Sequence, residues 1–242
     1  MLRFGFRARI QLMRWKRRFF MEILCFGDSN TWGHNPAGPS PRFTRQERWT
    51  GRLADSLGAG YHIYEEGLCG RTTVFEDPFD AGVCGKETLS VCLRTHMPVD
   101  LVVIMLGTND LKHCFYASAD EVSRGIERLI QIVQNPWSCW CTEKLPEILI
   151  ISPILVGETI TEGPFCEMFG GLRSREISLQ LAPKIKQIAE QYHCHFLNAA
   201  DYAAPSLEDA IHMDVEGHRQ LAAAVRDKIL EIEKICAESQ SQ

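Results

Sequence analysis

The chain has 242 residues, 45% of them hydrophobic and 24% charged, which is enough apolar material for a packed core and excludes a disordered chain. The formal net charge of -5 argues against nucleic acid as the main partner, because binding a phosphate backbone calls for a basic face. The length suits one large α/β domain or two small ones.

Residues 1–21 carry Arg3, Arg7, Arg9, Arg14, Lys16, Arg17 and Arg18 and no acid. Taking these seven from the 26 Lys and Arg leaves 19 against 31 Asp and Glu, so a basic head precedes an acidic body. Arginines interrupt every apolar run of the head, which sets it apart from a signal peptide, and no run is long enough to span a bilayer. Residues 1–21 therefore read as a disordered extension, or as an upstream start with Met21 as the true beginning. An arm for anionic membranes or targeting is the sharper alternative. Residues 22–242 read as a single domain.

Along that domain, Glu22–Phe26 reads as a strand and Arg48–Leu57 as a helix ended by the glycines at 58 and 60. Tyr61–Glu65 is a second strand. Leu89–His96 is helical, and Pro98 stops it. Leu101–Leu106 is an unbroken apolar run that suits a strand buried on both faces. Ala119–Gln134 is a helix with Val122, Ile126, Leu129, Ile130 and Val133 on one side. Ile148–Ile151 is a fourth strand. Leu179–Tyr192 is a helix with Pro183 near its start or kinking it, and His195–Leu197 is a short fifth strand. Asp214 caps a last helix running to about Cys236. This alternation predicts βαβ units, a parallel sheet and right-handed crossovers. Ligands then bind at the carboxyl ends of the strands, where the strand order reverses.

The 10 cysteines are scattered, and no CxxC pair occurs. Cys139-Trp140-Cys141 is a lone close pair with no second pair at zinc spacing. The cysteines read as free thiols in a reducing cytosol, hence a cytoplasmic protein with no membrane partner.

Four strand-end segments carry the candidate chemistry. Gly27-Asp28-Ser29-Asn30-Thr31-Trp32-Gly33 places a serine on a tight turn, with a helix start able to aim N–H groups at an anion. Its ordinary reading is a turn that ends a strand. In Glu66-Gly67-Leu68-Cys69-Gly70-Arg71, Gly70 presents an N–H without side-chain hindrance, and Arg71 reads as structural. In Gly107-Thr108-Asn109-Asp110, the Asn109 amide can donate to an oxyanion; otherwise it caps the next segment. In Asp209-Ala210-Ile211-His212, a carboxylate three residues before a histidine can accept its Nδ1–H and leave Nε2 to take a proton from serine. His218, in the first turns of the last helix, reads as a surface or cap residue. Each motif alone has a bland explanation. Together they supply a nucleophile, its base and two oxyanion donors.

These segments resemble the four signature blocks of the SGNH (GDSL-type) hydrolase superfamily, with Asn30 in place of the usual leucine. Ile-Leu-Cys-Phe-Gly-Asp-Ser from Ile23, Arg-Trp-Thr-Gly from Arg48, Glu-Glu-Gly-Leu from Glu65, Arg-Thr-Thr from Arg71 and Met-Leu-Gly-Thr-Asn-Asp from Met105 resemble its arylesterase/acyltransferase (perhydrolase) branch. The resemblance implies a three-layer α/β/α sandwich with a five-stranded parallel sheet, flavodoxin-like in order. It implies Ser29 as nucleophile and Asp209 and His212 as its partners. The oxyanion hole would be formed by the N–H of Ser29 or Asn30, the N–H of Gly70 and the side chain of Asn109. Where that branch often has Ser-Ala, Cys69-Gly70 would keep the N–H and loosen its loop. Asn30, Trp32, Phe165 and Phe169 are candidates for substrate contact, against ordinary packing. The chemistry implied is acyl transfer from a small-molecule ester to water or another acceptor, with no metal or organic cofactor. Some branch members are octamers, so a homo-oligomer is implied, with Pro136–Cys141 as an exposed apolar patch. The alternatives are a carbohydrate acetyl-esterase or lysophospholipase/thioesterase of the same superfamily, and a non-catalytic binding module. A nucleotide-binding protein ranks lower, because no GxGxxG or GxxxxGK[ST] follows a strand.

Overall fold

The computed structural model describes residues 21–137 and 144–239. The basic head up to Phe20, and Cys139, Trp140 and Cys141, lie outside the described residues. Met21, counted with the head from sequence, already pairs in the sheet.

Strand β1 (Met21–Gly27) leads into a single helical turn, α1 (Ser29–Trp32). Then follow α2 (Trp49–Leu57), β2 (Tyr61–Gly67), α3 (Gly85–His96), β3 (Leu101–Met105) and α4 (Ala119–Val133). The chain continues through β4 (Glu147–Ser152), α5 (Cys166–Phe169), α6 (Leu172–Gln191), β5 (His195–Asn198) and α7 (Val215–Ser239). The five strands form one sheet in the order β2-β1-β3-β4-β5, and every pairing is parallel.

The alternation of side chains along each strand divides the core in two. Leu24, Phe26, Val102, Ile104, Ile148 and Ile150 pack with α3, α4 and α6 on one face. Ile23, Cys25, Leu101, Val103, Met105, Leu149 and Ile151 pack with α2 and α7 on the other. All five residues of β3 are buried, as a strand covered on both sides requires. The direction of travel explains the split. The chain steps from β1 to β2 one way through α2, then back across β1 to β3 and onward through α3, α4 and α6. Keeping right-handed crossovers while reversing direction forces α2 onto the opposite face. The reversal lies between β1 and β3, so the segments after these two strands meet at one crevice.

Two helices begin earlier than the sequence suggests. Helix α3 starts at Gly85, where a Cβ would lie 2.5 Å from the Thr72 carbonyl; glycine permits that approach. Helix α6 starts at Leu172, which puts Pro183 in its interior. Pro183 and Leu179 are both exposed, so water can serve the carbonyl that the missing N–H would have bonded. The cysteines of the described residues are free thiols. Among the described residues no helix is long and apolar enough to cross a membrane. Of the apolar patch expected at 136–141, Trp137 is 75% exposed.

Candidate active site

The site is built by the ends of β1 and β3 and by the loop before α7. Asp28 caps α1: its Oδ1 accepts the Asn30 N–H at 2.9 Å. Ser29 is thereby held at the first helical position, with its hydroxyl turned toward the loop before α7. His212 Nε2 lies 2.8 Å from Ser29 Oγ, and His212 Nδ1 lies 2.6 Å from Asp209 Oδ2. An ionised carboxylate only accepts, so Nδ1 carries the proton and Nε2 accepts from the serine hydroxyl.

One side chain shapes the base loop. Oδ1 of Asp209 accepts the N–H groups of Ile211 at 3.0 Å and His212 at 2.9 Å, while Oδ2 takes the ring. The tight return requires a left-handed residue, and Ala210 fills that place at φ 63, a conformation that costs a non-glycine residue about 1–2 kcal/mol. The loop is tied down by Gly157 N–H to Ala210 O at 2.7 Å and Ser206 N–H to His212 O at 2.7 Å. Burial raises the Asp209 carboxyl pKa, but the hydrogen bonds from the His212 ring and from the His212 and Ile211 N–H groups outweigh it and hold it below the usual 3.8. The carboxylate is therefore charged at neutral pH, as the orientation of His212 requires.

The three candidate oxyanion donors follow the ends of β1, β2 and β3. Among the described residues, neither the Ser29 nor the Gly70 N–H has a protein acceptor. Of the two first-block donors considered from sequence, the Asn30 N–H is already committed to Asp28, which leaves that of Ser29. Asn109 Nδ2 donates to the Arg71 carbonyl at 3.2 Å, which uses one of its two hydrogens. Gly70 has φ 79, in the left-handed region where glycine is unstrained. A glycine there fits the turn, whereas the sequence suggested that it would loosen the loop. Arg71 is buried and structural: it donates to the carbonyls of Gly27, at 2.8 Å, and Glu66, and lies 4.0 Å over the Phe26 ring.

The four candidates for substrate contact separate. Phe165 stands edge-on to the His212 ring at 5.8 Å, in position to line the site. Phe169 is buried in the core, so it packs and does not face an open pocket. Asn30 is also buried, and its side-chain amide bonds the backbone on either side of His212. Trp32 is half-buried beneath the Arg42 guanidinium, 4.6 Å from the ring centre.

Sequence reasoning missed His34, whose ring lies 4.1 Å from that of His212. Burial foremost, and then the nearby His212, lowers its pKa. Nothing in Trp-Gly-His-Asn marks this role; it arises because the chain turns back after α1. His218, expected at the surface or in a cap, is fully buried. Its Nδ1 accepts the Trp49 N–H at 3.3 Å, and burial pulls its pKa down to about 3. Asp28 and Asp110 are buried carboxyls whose pKa values burial pushes up to about 6, against opposing hydrogen bonds. Two groups of described residues bring metal-ligand atoms within 4.8 Å of one another, His34, Asp209 and His212, and Glu76, Cys84 and Glu87. In the first group, Asp209 and His212 already share a proton.

Residues 25–220 match the model of the GDSL-like lipase/acylhydrolase family. The structure of an aryl esterase from M. smegmatis superposes with a TM-score of 0.79 at 34% identity, covering 87% of this chain and 99% of that one. A carbohydrate acetylesterase from Sinorhizobium meliloti superposes with a TM-score of 0.80 at 37% identity, covering 88% of this chain and 99% of that one. Comparison with curated protein sequences returns no match.

Proposed function

Since the chain belongs to the GDSL-like lipase/acylhydrolase family, we propose that it is a serine esterase that cleaves short-chain carboxylic esters through an acyl-enzyme on Ser29. The observation that carries this reading is the continuous chain of contacts Ser29 Oγ–His212 Nε2 at 2.8 Å and His212 Nδ1–Asp209 Oδ2 at 2.6 Å. Serine is a weak nucleophile at its free pKa and needs such a base.

In the proposed reaction Ser29 Oγ attacks the ester carbonyl while Nε2 of His212 takes its proton. The resulting imidazolium is stabilised by the Asp209 carboxylate. The tetrahedral oxyanion receives hydrogen bonds from the N–H groups of Ser29 and Gly70 and from Asn109 Nδ2, each contributing about 3–4 kcal/mol to the transition state. As the C–O bond breaks, His212 returns the proton to the departing alcohol. Water then attacks the acyl-serine, again through His212, releasing the carboxylic acid and restoring Ser29. An alcohol or hydrogen peroxide in place of water would make the same step an acyl transfer.

Two substrate classes are represented among the similar structures, aryl esters and acetylated carbohydrates. Phe165 and His34, flanking His212, suit a small acyl or aryl group. A fluorophosphonate probe is expected to add one phosphonyl group per chain, mapping to the Ser29 peptide, and a panel of acetyl, octanoyl and sugar esters ranks the substrates. Absence of labelling on folded protein that still hydrolyses the panel contradicts the serine mechanism.

A further inference from the structure

We propose that Asn30 is a positioning residue that holds the base loop in register with the nucleophile. The inference rests on the serine-esterase reading and adds to it a group that touches neither substrate nor the transferred proton.

Asn30 Nδ2 donates to the Ile211 carbonyl at 3.1 Å, and Asn30 Oδ1 accepts the Met213 N–H at 3.0 Å. The two partners flank His212 on either side, 181 and 183 residues away in sequence. The side chain is buried, at 3% exposure, so water does not compete for these bonds. An amide is planar and holds its donor and acceptor at a fixed spacing. Two bonds from one such group to backbone atoms two residues apart fix both the position and the tilt of the segment between them.

The placement in sequence gives the clamp its consequence. Asn30 directly follows Ser29, and its own N–H is locked to Asp28 Oδ1 at 2.9 Å. The link from Ser29 through the Asn30 side chain to the backbone on either side of His212 therefore spans only a few bonds. Asp209 orients the imidazole within its loop; Asn30 orients the loop against the nucleophile. A leucine, usual at this place in the first block the chain resembles, branches at the same carbon in bulkier methyl groups and makes neither bond. It would leave the Ile211 carbonyl and the Met213 N–H without those partners.

The test uses the full chain and compares Asn30→Leu and Asn30→Asp with wild type and Ser29→Ala. Displacing a reacting group by about 1 Å costs on the order of 10²-fold in rate. Asn30→Leu is thus expected to lower kcat for p-nitrophenyl acetate by about 10–100-fold, with KM within about twofold. The far-downfield proton NMR signal of the His212 Nδ1–H is expected to shift or broaden in the same variant, although its far-ultraviolet circular dichroism matches wild type. A purely structural side chain would lower melting temperature and leave both kcat and this signal unchanged. Asn30→Asp keeps the acceptor for Met213 and loses the donor to Ile211, and its kcat is expected to fall as well; it decides the matter if the leucine variant does not fold. Wild-type kcat and an unmoved signal in a folded variant overturn the clamp. Full activity in Ser29→Ala overturns instead the esterase reading beneath it.

Discussion

Two histidines six positions apart, His212 and His218, meet opposite demands. His212 faces a charged carboxylate that will stabilise its imidazolium. His218 is sealed between α2 and α7 with Nδ1 on the Trp49 N–H and Nε2 unpaired among the described residues, and it stays neutral. Its pKa falls from 6.5 to about 3 on folding. Below pH 6.5 the unfolded chain binds a proton there that the folded chain does not, so stability is lost as pH falls from 6.5 toward 3, by up to about 1.4 kcal/mol per pH unit. The raised pKa values of Asp28 and Asp110 act in the opposite sense: their contribution is present below 3.8 and is lost as pH rises through about 6. Comparing wild type with His218→Asn cancels those carboxyls. Urea denaturation is expected to show the stability advantage of wild type shrinking by about 2–3 kcal/mol between pH 6.5 and 4.5; parallel curves contradict the neutral buried histidine. At this scale the sequence is legible where function needs a residue type at a local spacing. Asp209 and His212 could be paired from their separation of three. Asn30 and His34 could not be placed, because their partner lies some 180 residues away and only the folded crevice brings them together.

The elements were readable in proportion to how much of their pattern is local. Helix α4 opens with Ser118, whose hydroxyl accepts the Glu121 N–H, while the Glu121 carboxylate accepts the Ser118 N–H at 2.8 Å. The apolar stripe was read from the sequence, and the helix begins at Ala119 as expected; the reciprocal cap is what fixes that start. Ser118→Ala is expected to destabilise the protein by about 1 kcal/mol, read as a lowered denaturation midpoint with activity retained; no change in midpoint contradicts the cap. The misreadings came where packing overrides local signals. Pro183 argues for a helix boundary, yet α6 runs through it because the buried stripe Ser174, Ser178, Leu181, Ile185 and Ala189 continues on both sides. Gly85 lacks helix propensity, but its missing side chain is what lets α3 begin against the Thr72 carbonyl.

At the scale of the molecule, the strand order β2-β1-β3-β4-β5 turns local motifs into a site. Ser29 and Asn109 follow the two adjacent strands at the reversal point, and the loop before α7 returns over the same crevice to deliver Asp209 and His212. The parallel sheet was legible from strand–helix alternation, whereas the strand order that locates the crevice followed from the family resemblance. The approach of Phe165, and the burial of Phe169 close by in sequence, were not legible, because the segment joining β4 to α6, with only short helical turns such as α5, carries no periodic signal. The central claim is that Ser29, activated by His212, attacks the ester. Its most direct test is the hydrolysis of a p-nitrophenyl series from acetate to octanoate by wild type and by Ser29→Ala, both verified as folded. Turnover of short esters by wild type, with loss of at least about 10³-fold in the variant, is the predicted result. Equal rates in the two proteins would contradict it.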